Sequence, residues 1–457
     1  MIFSLLQICL VLTTVVTILV VFTSYKLYEE FNNVPELPKY DLNFSWTNNN
    51  EPQDTSIRRF KITFTDAMQK QLARKFDYYR DTRKTKSFED TAWKYGINSE
   101  ALAQVMAHWQ FKYIFRERQR YFNKFEQFKT NIQGLDIHFV HVKPKEEDVP
   151  VLPILLLHGW PGSFREFYDV IPQLIARRSG YNFVFEVIVP SLPGFIYSQA
   201  PEKQGFNTVQ AAIVMRNLMQ RIGFKQYYIQ GGDFGHSIGS HMATLFPNEV
   251  LGFHTNFPIN FSKLANLGWI FGAVWPTFVE KNYADRMYPL NDKINYLIEE
   301  SGYIHLQGTK PDTIGIALQD SPLGLAAYIL DRYTIFTNPN NKFLLDGGLS
   351  NYNLTDLLDN IMLYWVTGSI TSSLRFYKET IMNNEEEIST PVPTWGLRLK
   401  HELLFQPEFL IRWKYLNLIG TTTLDEGGHF AAFEKPEILT TDIFKAVDEF
   451  IKHKIDV

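Results

Sequence analysis

The strongest constraint on the fold of this 457-residue chain is the turn Gln230–His236, with the sequence Gln-Gly-Gly-Asp-Phe-Gly-His. An apolar run rich in β-forming residues, Gln226–Ile229, enters the turn, and an apolar pattern with helical spacing leaves it. This order predicts a strand, a sharp turn and a helix. It is the pattern of a nucleophile elbow, in which glycines flank the central residue because a Cβ there would clash.

The central residue of this turn is Asp233, at a position where the best-known elbows carry serine. A carboxylate is already anionic near neutral pH, whereas a serine must first lose its proton. Asp233 can therefore attack an sp3 carbon directly and form an alkyl ester, which a water activated by histidine must then cleave. The alternative interpretation is a glycine-rich turn whose aspartate only caps a helix.

Residues 131–258 and 391–457 show short apolar strands that alternate with helical patterns, which predicts a doubly wound α/β sheet in two parts. Between these parts, residues 259–390 are helical, aromatic and rich in glycine and proline. An insertion at the carboxyl ends of the strands covers the place where such sheets bind ligands, so we expect a helical lid. The predicted elements are strands over 135–142, 151–157, 183–189 and 227–230, helices over 164–178, 209–222 and 237–246, strands near 393–397 and 416–424, and a helix over 436–452.

Residues 1–25 carry no charged side chain and are long enough as a helix to cross a bilayer core of roughly 30 Å. A cleaved signal peptide is the alternative, but it would need a basic start and a small-x-small cleavage site. The basic residues Lys26, Lys39, Arg58 and Arg59 all follow the apolar run. We therefore expect a transmembrane anchor with the body of the protein in the cytosol.

Residues 26–130 form a predicted lead-in segment that wraps the catalytic body. Amphipathic helical patterns begin at Asp66 and at Ser99. The second pattern ends in the charged run 116–120, with the sequence Arg-Glu-Arg-Gln-Arg, which is typical of a solvated face.

The charge and the cysteine content exclude some classes of protein. The net charge is −4, and basic residues do not form long runs, so nucleic acid is not an expected partner. The single cysteine, Cys9, excludes a disulfide within the chain and suits a reducing compartment.

A nucleophilic Asp233 requires a base and an orienting acid, which follow the nucleophile along the chain in folds of this kind. Of the 11 histidines, His429 is the one in a glycine-rich loop between the last strand and the last helix, so it is the candidate base. Glu402 is the preferred acid because it follows the preceding strand, where the acid is expected, and it would fix the tautomer of the imidazole. Asp425 and Glu426, on the loop of the histidine itself, are the alternatives.

An oxyanion hole is expected where the first buried strand ends, at His158–Gly162. The candidate donors are the backbone N–H groups of Trp160 and Phe234. We expect His158 to shape this loop and His236, on the elbow helix, to be structural.

Together these motifs resemble the microsomal epoxide hydrolases, and most of all their insect branch, the juvenile hormone epoxide hydrolases. The resemblance rests on His158–Gly162, Gly231–Gly235, Glu402, Gly427–Glu434 and the uncharged N-terminus, and it extends over nearly the whole chain. It implies an α/β-hydrolase fold and conversion of lipophilic epoxides, juvenile hormone among them, to vicinal diols through an aspartyl ester. It also implies a microsomal location in the endoplasmic reticulum and no metal or organic cofactor.

The resemblance further implies two acidic partners for the epoxide oxygen. In the family, two lid tyrosines bind the ring oxygen and protonate it, and their motifs match Tyr303 and Tyr377. A phenol is a suitable neutral donor opposite a carboxylate. Many relatives have tryptophan where this chain has Phe234, which keeps the backbone donor but changes the pocket floor.

Three other functions stay open from the sequence. A broad xenobiotic epoxide hydrolase would share every motif. A haloalkane dehalogenase would use the same aspartyl ester, but it needs halide-binding donors such as indoles, and no tryptophan follows Asp233. A membrane-tethered terpenoid carrier would have no need of Asp233, Glu402 and His429 together.

Overall fold

A computed structural model describes residues 2–32, 36–48, 54–81, 86–146, 148–381 and 388–455. Within them lies one mixed sheet of nine strands in the order β1-β2-β3-β5-β4-β6-β7-β8-β9. The pairs among β1, β2, β3 and β5 are antiparallel, and all pairs from β5 to β9 along the sheet are parallel. The strands are β1 Arg58–Phe60, β2 Gln127–Ile132, β3 Leu135–Val142, β4 Val151–Leu157, β5 Val184–Pro190, β6 Tyr227–Gly231, β7 Val250–Thr255, β8 Thr394–Arg398 and β9 Leu418–Thr423.

The helices form four groups along the chain. The N-terminal group is α1 Ile2–Asn32, α2 Asp66–Asp81, α3 Ser99–Lys112 and α4 Phe115–Phe122. The first part of the core has α5 Ile171–Leu174, α6 Thr208–Ile222 and α7 Phe234–Leu245. The inserted helices are α8 Lys263–Val274, α9 Leu290–Glu300, α10 Gly302–Thr309, α11 Pro311–Asp320, α12 Pro322–Thr337, α13 Leu354–Thr367 and α14 Ile370–Ile381. The chain closes with α15 Glu408–Lys414, α16 Ala431–Glu434 and α17 Pro436–Ile455.

Helices cover both faces of the parallel part of the sheet. Successive residues of a strand point to opposite faces. On β7, the position of Gly252 lies against Phe450 of α17, whereas Phe253 lies against Gly239 of α7. Strands between two helical layers must be apolar throughout, which explains the fully buried run at the end of β4.

The predicted helix over 164–178 is wrong in its length. A 3₁₀ helix, Phe164–Asp169, is followed by the short helix α5. Pro172 has no N–H to donate and its ring clashes with the preceding turn, so it starts a new helix instead of continuing the first one. Strand β1, within the predicted lead-in segment, and strand β2, which crosses its end at residue 130, were not predicted from the sequence either.

The charged run 116–120 is only partly a solvated face. Arg116, Glu117 and Arg120 are exposed, but Arg118 turns inward. Its Nε donates to Oδ1 of the fully buried Asp359 at 2.8 Å. This ion pair joins the lead-in helix α4 to α13 of the lid.

The N-terminal helix is compatible with the predicted anchor over residues 1–25. Among the described residues, the segment Cys9–Leu27 of α1 is the one single-helix stretch long and apolar enough to cross a membrane. The pair α11 and α12 meets this criterion only when taken together, and the pair is bent by 118° at its junction.

We expect Arg118→Leu to lower the free energy of unfolding by about 3 kcal/mol, because it removes a partner from a buried carboxylate. The matched control is Arg120→Leu on the exposed side of the same helix, which should change it by less than about 0.5 kcal/mol. Urea unfolding of the detergent-solubilised protein, followed by tryptophan fluorescence, measures both. Equal midpoints for the two variants would contradict the structural role of the pair.

Candidate active site

Asp233 occupies the turn between β6 and α7 in a strained backbone conformation. Its φ is 52° and its ψ is −128°, a backbone conformation that residues other than glycine rarely adopt. A Cβ at Gly231 would lie 2.2 Å from the carbonyl oxygen of Gly235, and one at Gly235 would lie 2.1 Å from that of Leu157. The predicted strand, sharp turn and helix are therefore present, and packing requires both glycines.

The loop after β4 lies directly against the carboxylate of Asp233, because β4 and β6 are neighbours and Leu157 pairs with Gly231. The backbone N–H of Trp160 donates to Oδ1 of Asp233 at 2.9 Å. Phe234 is the first residue of α7, where backbone N–H groups have no acceptor within the helix. The structure thus brings both predicted oxyanion donors to the elbow.

The imidazole of His429 lies between two carboxylates. Its Nε2 is 3.2 Å from Oδ2 of Asp233, and its Nδ1 is 2.5 Å from Oε1 of Glu402. The Nδ1–H can therefore donate to Glu402 while Nε2 faces the elbow. Burial lowers the pKa of His429. Glu402 and Asp233 both raise it, through their charges and through their hydrogen bonds to the imidazole, and together they hold the pKa well above its ordinary value.

The backbone on either side of His429 is fixed by one acidic side chain. Glu434 accepts hydrogen bonds from the N–H of Gly428 at 3.0 Å and from the N–H of Phe430 at 2.9 Å. The N–H of His429 donates to the carbonyl oxygen of Phe336 in α12, at 3.0 Å. Burial raises the pKa of Glu434 to about 8, although these N–H groups act to lower it.

The alternative acids lie away from the imidazole. Asp425 pairs with Arg286 at 2.6 Å, and Glu426 pairs with Lys435 at 2.6 Å. Both carboxylates are exposed. Of the three acids considered from the sequence, the structure brings Glu402 to His429.

The two other histidines singled out from the sequence are buried and hydrogen-bonded away from the elbow carboxylate. His236 lies between Oγ1 of Thr255 at 3.0 Å and the carbonyl oxygen of Ile259 at 3.1 Å. The Nε2 of His158 accepts from the N–H of Leu192 at 3.1 Å. Burial lowers the pKa of His158 to about 4, so it stays neutral and shapes the loop.

Tyr303 of α10 and Tyr377 of α14 extend from the lid toward the elbow. The ring of Tyr303 stacks on Trp160 with a centroid distance of 5.7 Å, and the ring of Tyr377 meets Trp160 edge to face at 5.6 Å. Tyr377 also contacts the ring of Phe234 at 4.7 Å. Burial raises the pKa of both phenols, so each keeps its proton.

A cavity of about 480 Å³ opens between the elbow and the lid. Asp233, Tyr303 and Tyr377 lie together in its wall, which is otherwise mostly apolar. The other lining residues are Phe234, Ser237, Phe257, Phe261, Lys263, Tyr296, Leu297, Glu300, Ser301, Ile304, Phe336, Thr380, Ile381, Leu403 and Leu404. The lining suits an apolar molecule with one reactive polar group.

Glu166 is a site residue that the sequence analysis missed. It lines a second cavity of about 20 Å³ together with Asp233 and His429, which is room for about one water molecule. Burial raises the pKa of Glu166 to about 8, and the charge of Asp233 acts in the same direction. The only signal in the sequence was an acidic residue four positions after Gly162, between aromatic residues of the segment that follows the glycine-rich loop.

No group of three or more His, Cys, Asp or Glu side chains in the described residues is arranged to hold a metal ion. The fold and the site define an α/β hydrolase that has an aspartate at its elbow.

Comparison with known proteins gives the family. The family model "Epoxide hydrolase N terminus" matches residues 57–167, and the "alpha/beta hydrolase fold" model matches residues 153–295. The chain is 46% identical to the juvenile hormone epoxide hydrolase of Bombyx mori, over 92% of this chain and 93% of that one. It is 42% identical to epoxide hydrolase 1 of Oryctolagus cuniculus, over 86% and 89%. The crystal structure of the Bombyx mori enzyme superimposes with a TM-score of 0.87 at 45% identity, over 91% of this chain and 100% of that one.

The chain therefore belongs to the epoxide hydrolase family, in the branch that contains the insect juvenile hormone enzymes and epoxide hydrolase 1. It is an enzyme, an epoxide hydrolase, and the membership inferred from the motifs is confirmed.

The raised pKa of Glu166 predicts a dependence of stability on pH. The folded protein holds this proton more tightly than the unfolded chain, so the stability present below about pH 4.5 is lost as the pH rises toward about 8. We expect Glu166→Gln to gain thermal stability relative to wild type over this interval, because the amide cannot ionise. Melting temperatures across the range measure the difference, with the exposed Glu117→Gln as control. A difference that does not change with pH would contradict the prediction.

Proposed function

We propose that this enzyme hydrolyses lipophilic epoxides to vicinal diols through a covalent ester on Asp233. The observation that carries the proposal is the placement of Asp233, beside the imidazole of His429, in one cavity wall with two protonated phenols. A nucleophile and two acids that line one apolar cavity match what opening an epoxide requires.

In the first step, Oδ2 of Asp233 attacks the less hindered epoxide carbon, and the bond from that carbon to the ring oxygen breaks. Tyr303 and Tyr377 bind the ring oxygen, and one phenol gives it a proton. Oδ1 stays on the N–H of Trp160 and becomes the carbonyl oxygen of the ester.

In the second step, a water molecule attacks the Cγ of Asp233 and gives a proton to Nε2 of His429. The negative charge that develops on Oδ1 is held by the N–H groups of Trp160 and Phe234. The acyl bond to the diol oxygen then breaks, and that oxygen takes the second proton of the water. The carboxylate of Asp233 is restored beside a protonated His429, as in the free enzyme.

The same charges that hold the proton on His429 explain why it becomes a base only after the ester forms. In the free enzyme, Glu402 and Asp233 both stabilise the imidazolium. Formation of the ester removes the charge of Asp233 and leaves Glu402 alone, so the pKa of His429 falls. The imidazolium therefore gives its proton to the phenolate that ring opening leaves, and the neutral imidazole can then accept a proton from the water.

Juvenile hormone is the proposed physiological substrate. The supporting facts are the mostly apolar cavity and the insect juvenile hormone epoxide hydrolases of Bombyx mori and Manduca sexta, which are 46% and 44% identical to this chain. We place the enzyme in the membrane of the endoplasmic reticulum through α1, with its catalytic body on the cytosolic side. The apolar segment Cys9–Leu27 and the basic residues after it support this location.

Single-turnover mass spectrometry of His429→Gln mixed with juvenile hormone tests the covalent route. We expect the peptide that carries Asp233 to gain the mass of the hormone, because the ester forms but no base activates the water. Asp233→Asn is the matched control and should gain no mass. Absence of the adduct, together with a wild type that leaves the hormone unchanged, would overturn the proposal.

The tyrosines are expected to act on ester formation alone. Tyr303→Phe and Tyr377→Phe should each slow formation of the ester by about a hundredfold, because each loses a donor to the ring oxygen without losing its ring. Rapid-mixing measurements separate this step from ester hydrolysis, which should keep its rate. Tyr95→Phe, at a position that is 79% exposed, is the control. An equal slowing of both steps would contradict the assignment.

A further inference from the structure

We propose that the outward side of α8 and the turn after it lies in the surface of the lipid bilayer, and that the epoxide enters the cavity from the lipid. The second half of this proposal rests on the proposed function. The surface, which we term the α8 face, consists of Leu267, Ile270, Phe271, Val274, Trp275 and Phe278.

The α8 face is a continuous apolar stripe on the outside of the protein. Leu267, Ile270, Phe271 and Val274 recur every three or four positions, which places them on one side of α8. Trp275 and Phe278 of the following turn each contact the ring of Phe271, with centroid distances of 5.6 Å. Their exposed fractions are 52% for Leu267, 53% for Ile270, 44% for Phe271, 71% for Val274, 56% for Trp275 and 58% for Phe278. Large exposed apolar patches of this kind mark contacts with a protein or a membrane.

The large apolar side chains of α8 face outward, whereas those of a helix on the surface of a soluble protein face the core. The inward side of α8 carries the small residues Ala265, Gly268 and Gly272. A Cβ at Gly268 would lie 2.4 Å from Leu410, and one at Gly272 would lie 2.2 Å from the hydroxyl of Tyr288. The helix therefore packs closely through its small side chains and presents its large apolar ones outward.

A lipid bilayer is the occupant that other features of the chain favour. The apolar segment Cys9–Leu27 of α1 is suited to hold the body of the protein at a membrane. From Leu264 to Val279 the sequence has no charged residue, and Lys263 precedes this stretch. An uncharged helical face with a basic residue at one end and a tryptophan at the other is typical of a helix that lies in the membrane interface.

The α8 face is continuous with the mouth of the substrate cavity. Phe261 and Lys263 both line the cavity, and Leu267 follows Lys263 by one helical turn. Phe261 is 38% exposed, and Ile381, on another wall of the cavity, is 50% exposed. A lipophilic epoxide dissolved in the bilayer would therefore meet an apolar path from the lipid to Asp233.

The single cysteine makes a direct test possible. In the full-length protein carrying Cys9→Ser, a nitroxide label is placed at Val274→Cys and, as the control, at Leu345→Cys, which is 74% exposed away from the cavity lining. Both proteins are reconstituted in phosphatidylcholine vesicles. The label at 274 should be more accessible to oxygen than to a water-soluble nickel complex, and the label at 345 should show the reverse.

Three outcomes would overturn the membrane assignment. Accessibility to the nickel complex at 274 equal to that at 345 would place the face in water. Spin–spin broadening that vanishes on dilution with unlabelled protein would place a second copy of the chain on the face. A label at 274 that neither reagent reaches would mean that another protein segment covers it.

Turnover tests the path of the substrate separately. Ile270→Glu together with Val274→Glu should lower kcat/KM for juvenile hormone held in vesicles by about tenfold, because the charged face leaves the lipid. The same variant should keep the wild-type rate on a short water-soluble epoxide. An equal loss on both substrates, or on neither, would overturn entrance from the lipid. The accessibility of the label does not depend on turnover. A protein that does not hydrolyse the hormone but shows the expected accessibility at 274 would contradict the proposed function and leave the membrane contact standing.

Discussion

The site depends on one close approach between two neighbouring strands. The ends of β4 and β6 pair side by side, which brings the N–H of Trp160 to 2.9 Å from the carboxylate of Asp233. This approach leaves no room for a Cβ at Gly231 or Gly235, and it holds Asp233 at a positive φ. The folded sheet therefore stores strain at one residue, and the surrounding parallel strands, buried on both faces, are what maintain it.

Around this point the protein buries more acids than bases. Asp233 and Glu402 contact the imidazole of His429, Glu434 holds the backbone on either side of it, and Glu166 lies across a small cavity. Two of these acids, Glu166 and Glu434, have pKa values raised to about 8 and so are mainly neutral near pH 7. The negative charge is thereby concentrated on the two carboxylates that contact His429. These two charges raise the pKa of His429 in the free enzyme. When Asp233 becomes an ester, one of the charges is lost and the pKa of His429 falls.

The sequence predicted the features that depend on local geometry or on chain order. The elbow followed from the glycines around Asp233, and the proximity of Glu402 and His429 followed from their places after successive strands. Pairings between distant segments left no local signal. Arg118 looks like any other charge on a helix until α13 brings Asp359 to it, and the role of β2 depends on its pairing with β3. Glu166 was missed for the same reason, because only the folded loop turns it toward the elbow.

The origin of the site residues along the chain has a consequence for how the substrate range can change. The proposed nucleophile, orienting acid and base lie in the turn and loops that follow β6, β8 and β9, whereas both proposed proton donors, Tyr303 and Tyr377, sit on helices that also shape the cavity. A substitution that reshapes those helices for a new substrate also moves the two phenols that are proposed to open the epoxide ring of that substrate. A change in the lid therefore affects both the substrate selectivity and the rate of ring opening. The residues proposed for ester hydrolysis lie outside the lid and can stay unchanged.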